Sequence, residues 1–211
     1  MRLAELSEVS GTSSASIKFY LRSGLMEAGD VVHPTRAEYG EHHVRRLMLI
    51  QKLRSAVGLG LEDIRRILDA SHGADHSAAQ RLVLLATVQS VVLGYDGEGA
   101  SDSAVVDELV QVMGWPDEHS EARDAVGKHL AVMEAAGVAT DLTVVEAYAR
   151  AADAIAGSQL AVTGARESIE DFILTAAVGM HLHNRLILSL VALAQASHSL
   201  RKYSDAGTAE P

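Results

Sequence analysis

The segment Gly11-Thr12-Ser13-Ser14-Ala15-Ser16-Ile17-Lys18-Phe19-Tyr20-Leu21-Arg22-Ser23-Gly24-Leu25-Met26 has the build of a tight turn feeding one short helix. Gly11 permits the turn, Ser13 or Ser14 can cap the free amides that follow, and Gly24 marks the stop. Ile17 and Leu21 lie four apart and are predicted to face a core. Ser14, Ser16, Lys18 and Arg22 then present hydroxyls and cations elsewhere on the helix. Upstream, Leu3, Leu6 and Val9 recur at helical spacing. Two short helices around a glycine-containing turn make a helix-turn-helix, in which the second helix carries the groove-facing residues.

Downstream, residues 27–39 lose helical periodicity and contain Gly29, Asp30 and Pro34, a pattern that predicts a wing. The helical period returns at Gly40, with Val44, Leu47, Ile50 and Leu53 as the apolar stripe and Arg45, Arg46, Lys52 and Arg54 on the wet side. Gly58-Leu59-Gly60 ends that helix. Another follows, with Leu61, Ile64 and Leu68 as core candidates.

These residues resemble the MerR transcriptional regulators. The likeness rests on Gly11-Thr12-Ser13 at the turn, on Ile17-Lys18-Phe19-Tyr20 where the family usually has Ile-Arg-Tyr-Tyr, and on Gly24-Leu25-Met26 where it has Gly-Leu-Leu. A second block, Tyr39-Gly40-Glu41-His42-His43-Val44-Arg45-Arg46-Leu47 followed by Gly58-Leu59-Gly60-Leu61-Glu62-Asp63-Ile64, agrees in order and spacing. The resemblance covers about the first 72 residues. It implies a winged helix-turn-helix in which Ser14, Ser16, Lys18 and Phe19 fall on the groove face. Tyr20 takes a backbone-contacting position, Arg36 lies near the wing tip, and Arg22 and Tyr39 complete the expected DNA-binding set. Ala15 stands where a basic residue is common, Leu21 replaces a usual acid, and Ala37 takes the place of the usual wing arginine, leaving Arg36 as its substitute. The resemblance further implies promoter DNA carrying an inverted repeat. RNA polymerase is then affected indirectly, through distortion of the DNA between its contact elements.

Composition sets the class of the remainder. Hydrophobic residues make up 48% of the 211, aromatics only 4%, and there are 3 prolines, a balance that favours helices packed on helices. The expectation is an all-α protein in the cytoplasm. No uninterrupted apolar run reaches the 18 or so residues of a bilayer span, and the chain starts on a polar amphipathic helix, so no membrane partner is expected. With no cysteine, thiolate metal or redox sensing has no ligand here. The net charge of −10 would by itself oppose nucleic acid. Its distribution decides otherwise: residues 1–72 hold 10 Lys/Arg against 9 Asp/Glu, whereas 73–211 hold 8 against 19. Phosphates respond to the local patch, because charges beyond about 8 Å are largely screened in physiological salt.

The predicted organisation is a DNA-binding domain at 1–72, a connecting helix and acidic Gly-rich loop at 73–102, a helical domain at 103–203 and a disordered tail at 204–211. The connecting helix, His76 to Leu93, is long enough for a shortened dimer helix and too short for a long coiled coil. Beyond it, helices are expected over Ser103–Met113, Glu118–Ala136 and Leu142–Leu160, with a last pair between Arg166 and His198. A C-terminal effector pocket would draw on the few large irregular side chains, Met113, Trp115, Tyr148, Phe172, Met180 and His183, which could equally be ordinary core. His72 and His76 are interrupted by Gly73, and His181 and His183 point to different sides of a helix, so no metal site is expected. No nucleophile elbow, phosphate loop or paired-carboxylate pattern appears, so neither catalysis nor a cofactor is expected. The reading is a homodimeric regulator of promoter DNA, held together by helices after residue 75 and open to a small-molecule effector. An effector-independent architectural DNA-binding protein, or a ligand-binding or protein-interaction module, are the alternatives.

Overall fold

Leu3–Ser10 and Ser14–Arg22 form α1 and α2, and Gly11 joins them at a φ of 65°, a left-handed conformation that a side chain would disfavour. The computed structural model describes residues 1–33, 36–72, 77–95, 103–116, 120–160 and 168–207. After α2 the strands β1 (Asp30–His33) and β2 (Arg36–Glu38) pair antiparallel, with Asp30 opposite Glu38 and Val31 opposite Ala37, as the loss of helical period between 27 and 39 predicts. Helix α3 (Glu41–Lys52) runs into a π-helical turn at Leu53–Val57, and α4 (Leu61–Ala70) follows. Four helices complete the order before the last: α5 (Ala78–Leu93), α6 (Ala104–Met113), α7 (Glu121–Ala135) and α8 (Leu142–Leu160). Helix α9 covers Ile169–Gly207. Apart from the two-stranded wing, the described residues are helical or connecting, an all-α fold.

The main core is built by the predicted stripe. Leu47, Ile50 and Leu53 are fully buried together with Leu6, Ile17, Ile64 and Ile67. Leu49 is buried as well, so α3 is enclosed on more than one side, whereas Val9, which recurs at helical spacing with Leu3 and Leu6, lies exposed. Leu84 and Val88 of α5 and Ile173, Ala176 and Ala177 of α9 belong to the same core. The expected boundary at residue 72 is therefore crossed by continuous packing. An ion pair between Arg46 and Glu170, 3.5 Å apart and largely sheltered, ties α3 to the start of α9. A second, smaller cluster lies at Leu109, Val145 and Ala149, where α6 meets α8.

Two expectations for the C-terminus are corrected. The last pair of helices is one helix of 39 residues, about 58 Å long at 1.5 Å per residue. Gly179 does not break it, because a helix interior tolerates a glycine at a cost of about 1 kcal/mol. The tail expected to be disordered from Ser204 is helical through Gly207, while residues 208–211 lie outside the described set. Ile169–Lys202 is long and apolar enough by composition to cross a bilayer, although polar residues interrupt it, and only 11% of its most apolar window is buried.

Candidate nucleic-acid interface

Local hydrogen bonds fix the turn before α2. Ser7 Oγ donates to the Thr12 carbonyl at 2.6 Å and Ser10 Oγ to the Leu6 carbonyl at 2.7 Å. Gln51 of α3 donates to Thr12 Oγ1 at 2.6 Å and so locks the turn to the scaffold. Of the two candidate caps it is Ser13 that acts, accepting from the Ser16 amide at 3.1 Å. At the other end, Arg65 of α4 donates to the Ser23 carbonyl at 2.9 Å. The helix is thus held at both ends by side chains from other elements, and its orientation is set before any DNA arrives.

Ile17 and Tyr20, three apart, are the residues of α2 that reach the core. That choice presents Lys18, Phe19 and Arg22 to solvent, with Ser14 and Ser16 half-buried beside them. Leu21, expected inward with Ile17, is only partly buried against the core. Phe19 keeps 42% of its surface exposed and packs edge-on against Tyr20 at 5.8 Å. Tyr20 itself is 5% exposed and its hydroxyl accepts from Arg54 at 3.4 Å. Its ring belongs to the core, and any phosphate contact from it must come through a hydroxyl already shared with Arg54. Tyr39 is likewise buried, and its backbone pairs in both directions with Met1. Arg36 opens β2 opposite His33, and its side chain lies outside the described set. The structure therefore brings Ser14, Ser16, Lys18, Phe19 and Arg22 to one short helix, and gives Tyr20 and Tyr39 packing roles.

The wing is seated by two residues to which the sequence assigns no role of their own. Gly29 packs so closely that a Cβ there would sit 2.6 Å from the Glu38 carbonyl oxygen and 2.9 Å from the Tyr39 ring. His43 is 1% exposed. Its Nδ1 accepts the Gly40 amide at 3.0 Å, the Tyr39 ring meets it edge-on at 5.1 Å, and His42 lies at 3.9 Å. Accepting through Nδ1 places the proton of the neutral ring on Nε2, which is buried with no well-formed hydrogen bond among the described residues and only the Ala28 backbone drawing on it. Burial first, and the neighbouring His42 second, push the His43 pKa below its ordinary value of 6.5, against the opposing pull of the Ala28 backbone, Glu27 and Asp30. The signal for Gly29 was its place inside the extended segment. No sequence signal singles out His43 from the other nine histidines.

The six residues expected to share an effector pocket are dispersed. Met113 and Trp115 pack on the α6–α8 cluster, and Trp115 Nε1 donates to Asp153 at 2.8 Å. Tyr148 is exposed and Phe172 packs on the main core. Met180 and His183 alone line a common cavity, of about 400 Å³ between α5, α8 and α9.

Residues 1–71 match the family described as MerR HTH family regulatory protein. No curated protein matches the chain. Among solved structures, the chain is similar to the "putative transcriptional regulator SCO5550" from Streptomyces coelicolor A3(2), with 26% identity and a TM-score of 0.61 over 96% of this chain and 98% of that one. The likeness thus extends through the C-terminal helices.

Proposed function

We propose, from the membership of residues 1–71 in the MerR family of helix-turn-helix regulators, that this DNA-binding transcriptional regulator acts as a homodimer on an inverted repeat in promoter DNA. The observation that carries the reading is the outward face of α2. Lys18 and Arg22 supply cations, Ser14 and Ser16 hydroxyls, and Phe19 an apolar contact for a thymine methyl, all on a helix anchored from behind by Ile17 and Tyr20. Residues 1–72 are the DNA-reading part and residues 103–203 respond to a small molecule. The acidic excess after residue 72 faces away from the duplex. The protein works in the cytoplasm and alters RNA polymerase access indirectly, by distorting the promoter.

The dimer reading rests on α9. Leu186, Leu190, Leu193 and Leu200 are all exposed, at spacings of four, three and seven residues, a heptad seam. Helix α5, the other candidate, spends Leu84 and Val88 inside its own chain. A second copy of the chain, packing its α9 on this seam, would bury leucines that are costly in water.

Mapping of genomic fragments retained by the full-length protein tests the function. Enrichment of inverted repeats is expected, and retention with no preferred sequence would favour an architectural role instead. For assembly, sedimentation of the wild type is compared with a Leu186→Glu/Leu190→Glu/Leu193→Glu variant. The first is expected as a dimer at micromolar concentration and the second as a monomer. A wild type that stays monomeric removes the dimer.

A further inference from the structure

The cavity between α5, α8 and α9 differs from the apolar seam farther along α9 in having three walls and a mixed lining. Its volume, about 400 Å³, falls in the range of small-molecule sites. Leu85, Leu93, Ala176 and Met180 make the greasy part of the wall, and Gln89, Gln159, His183 and Asn184 supply amide and imidazole groups. Among the described residues that line it, none carries a carboxylate, ammonium or guanidinium group. A cation would therefore lose its hydration without gaining an ionic partner, and an anion would find only the His183 imidazole, a cost that a few amides do not offset. A neutral molecule loses little on entry and can place a hydroxyl or carbonyl against the amides.

Gly179 leaves one wall of the space bare. It lies inside α9 with ordinary helical backbone, where glycine is a poor choice, and a Cβ built on it meets nothing within 4 Å. The missing side chain is part of the opening. Six and two residues earlier, Ile173 and Ala177 are buried in the core shared with α3 and α4, and Ala176 belongs both to that core and to the cavity wall. The same stretch of helix thus touches the ligand space on one side and the DNA-binding scaffold on the other, where Arg46 of α3 holds Glu170.

We propose that the cavity at Gly179, Met180 and His183 is the effector site, and that it takes a neutral, mainly apolar small molecule bearing a hydroxyl or carbonyl group. This rests on the effector-responsive reading above. It adds the location of the site, the class of ligand and the helix through which occupancy reaches the DNA-binding scaffold.

The test uses the full-length protein and Nile red, a neutral carbonyl-bearing dye, followed by fluorescence. Saturable binding of one dye per chain is expected, displaced by decanol at least tenfold more effectively than by decanoate at pH 8. Gly179→Leu fills the opening and is expected to weaken dye binding at least tenfold, with a Tm no lower than that of the wild type, because leucine favours the helix more than glycine does. The Leu186→Glu/Leu190→Glu/Leu193→Glu variant should bind the dye as the wild type does, since the cavity belongs to a single chain. Dye binding untouched by Gly179→Leu, lost with the seam variant, or competed equally well by decanoate overturns the proposal. Retention of sheared genomic DNA is measured on the same preparations. DNA bound without dye sinks the effector site alone, whereas dye bound without DNA supports the site and sinks the regulator reading.

Discussion

The core around α2 and α3 and the distal half of α9 are built from the same kinds of residue and put them to opposite use. Ile17, Leu47, Ile50 and Ile64 are fully buried, while Leu186, Leu190, Leu193 and Leu200 lie mostly in solvent. Periodicity alone does not separate the two, because a core stripe and a coiled-coil seam both recur every three to four residues. What separates them is whether other elements of the same chain are present to cover the stripe. Around α3 there are α1, the π-helical turn and the start of α9; beyond about residue 185, among the described residues, α9 is almost wholly exposed.

The sharpest way to break this comparison is to delete one leucine or isoleucine from each region. Ile64→Ala should cost about 2–5 kcal/mol of unfolding free energy, through lost transfer energy and a cavity that its neighbours fill only in part. Leu193→Ala should leave the unfolding of dilute protein nearly unchanged and weaken self-association instead. Denaturant melts at two protein concentrations read both effects. Equal destabilisation by the two substitutions in dilute protein would mean that the distal helix is covered by its own chain.

Gly29→Ala should have the next largest effect, about 1–3 kcal/mol, because the new methyl would stand 2.6 Å from a backbone oxygen that cannot move without shifting β2. DNA affinity should fall with it while α2 stays folded. Proton exchange at the α2 amides checks this, with protection retained in α2 and lost in the wing.

How much of this could be read in advance follows the same division. The helix-turn-helix was legible because it is specified locally: Gly11 for the turn, Ser13 for the cap, Ile17 for the anchor, and the three lie within seven residues. The wing was legible as a loss of period. Tyr20 and Tyr39 were harder, since an aromatic ring with a hydroxyl suits either a phosphate or a core, and only Arg54 and Met1 arriving from elsewhere decide the matter. The effector residues were chosen by size and proved scattered, with only Met180 and His183 at the cavity, because a cavity depends on how the helices are set apart and on small residues such as Ala156 and Gly179 as well as on large ones. The continuity of α9 was missed because a helix held at its start by the core carries an interior glycine that a free peptide would tolerate poorly.

His43 offers a pH test confined to the N-terminal region. Its pKa is lowered in the folded state, so the unfolded chain binds the proton more readily. The stability it allows is fully present above 6.5, the unfolded value, and is lost as pH falls through that value toward the lower folded one. Urea midpoints measured from pH 7.5 down to pH 5 should therefore fall on acidification, and His43→Asn should flatten part of that slope while keeping an acceptor for the Gly40 amide. The seam of α9 should not respond in the same way. A slope unchanged by the substitution would assign the acid sensitivity to other histidines.

The smallest effect on stability belongs to Lys18, and it is the one that bears most directly on function. Its side chain is exposed on α2 beside Phe19, and the anchors Ile17 and Tyr20 do not depend on it. Lys18→Ala should leave the denaturation midpoint unchanged, since surface substitutions away from caps and cores rarely move it. Its effect on DNA divides two roles. If Lys18 neutralises a phosphate, affinity for all sequences should fall together, and the slope of log affinity against log salt should drop by about 0.9, the contribution of one released counterion. If it reads a base edge, the salt slope should hold while the preferred site loses about 1–3 kcal/mol against the same site altered at one position. Titrations of the wild type and variant on both sites at three salt concentrations separate these outcomes. A variant that binds as the wild type in every titration would take Lys18 out of the interface and leave Arg22 as the principal cation of α2.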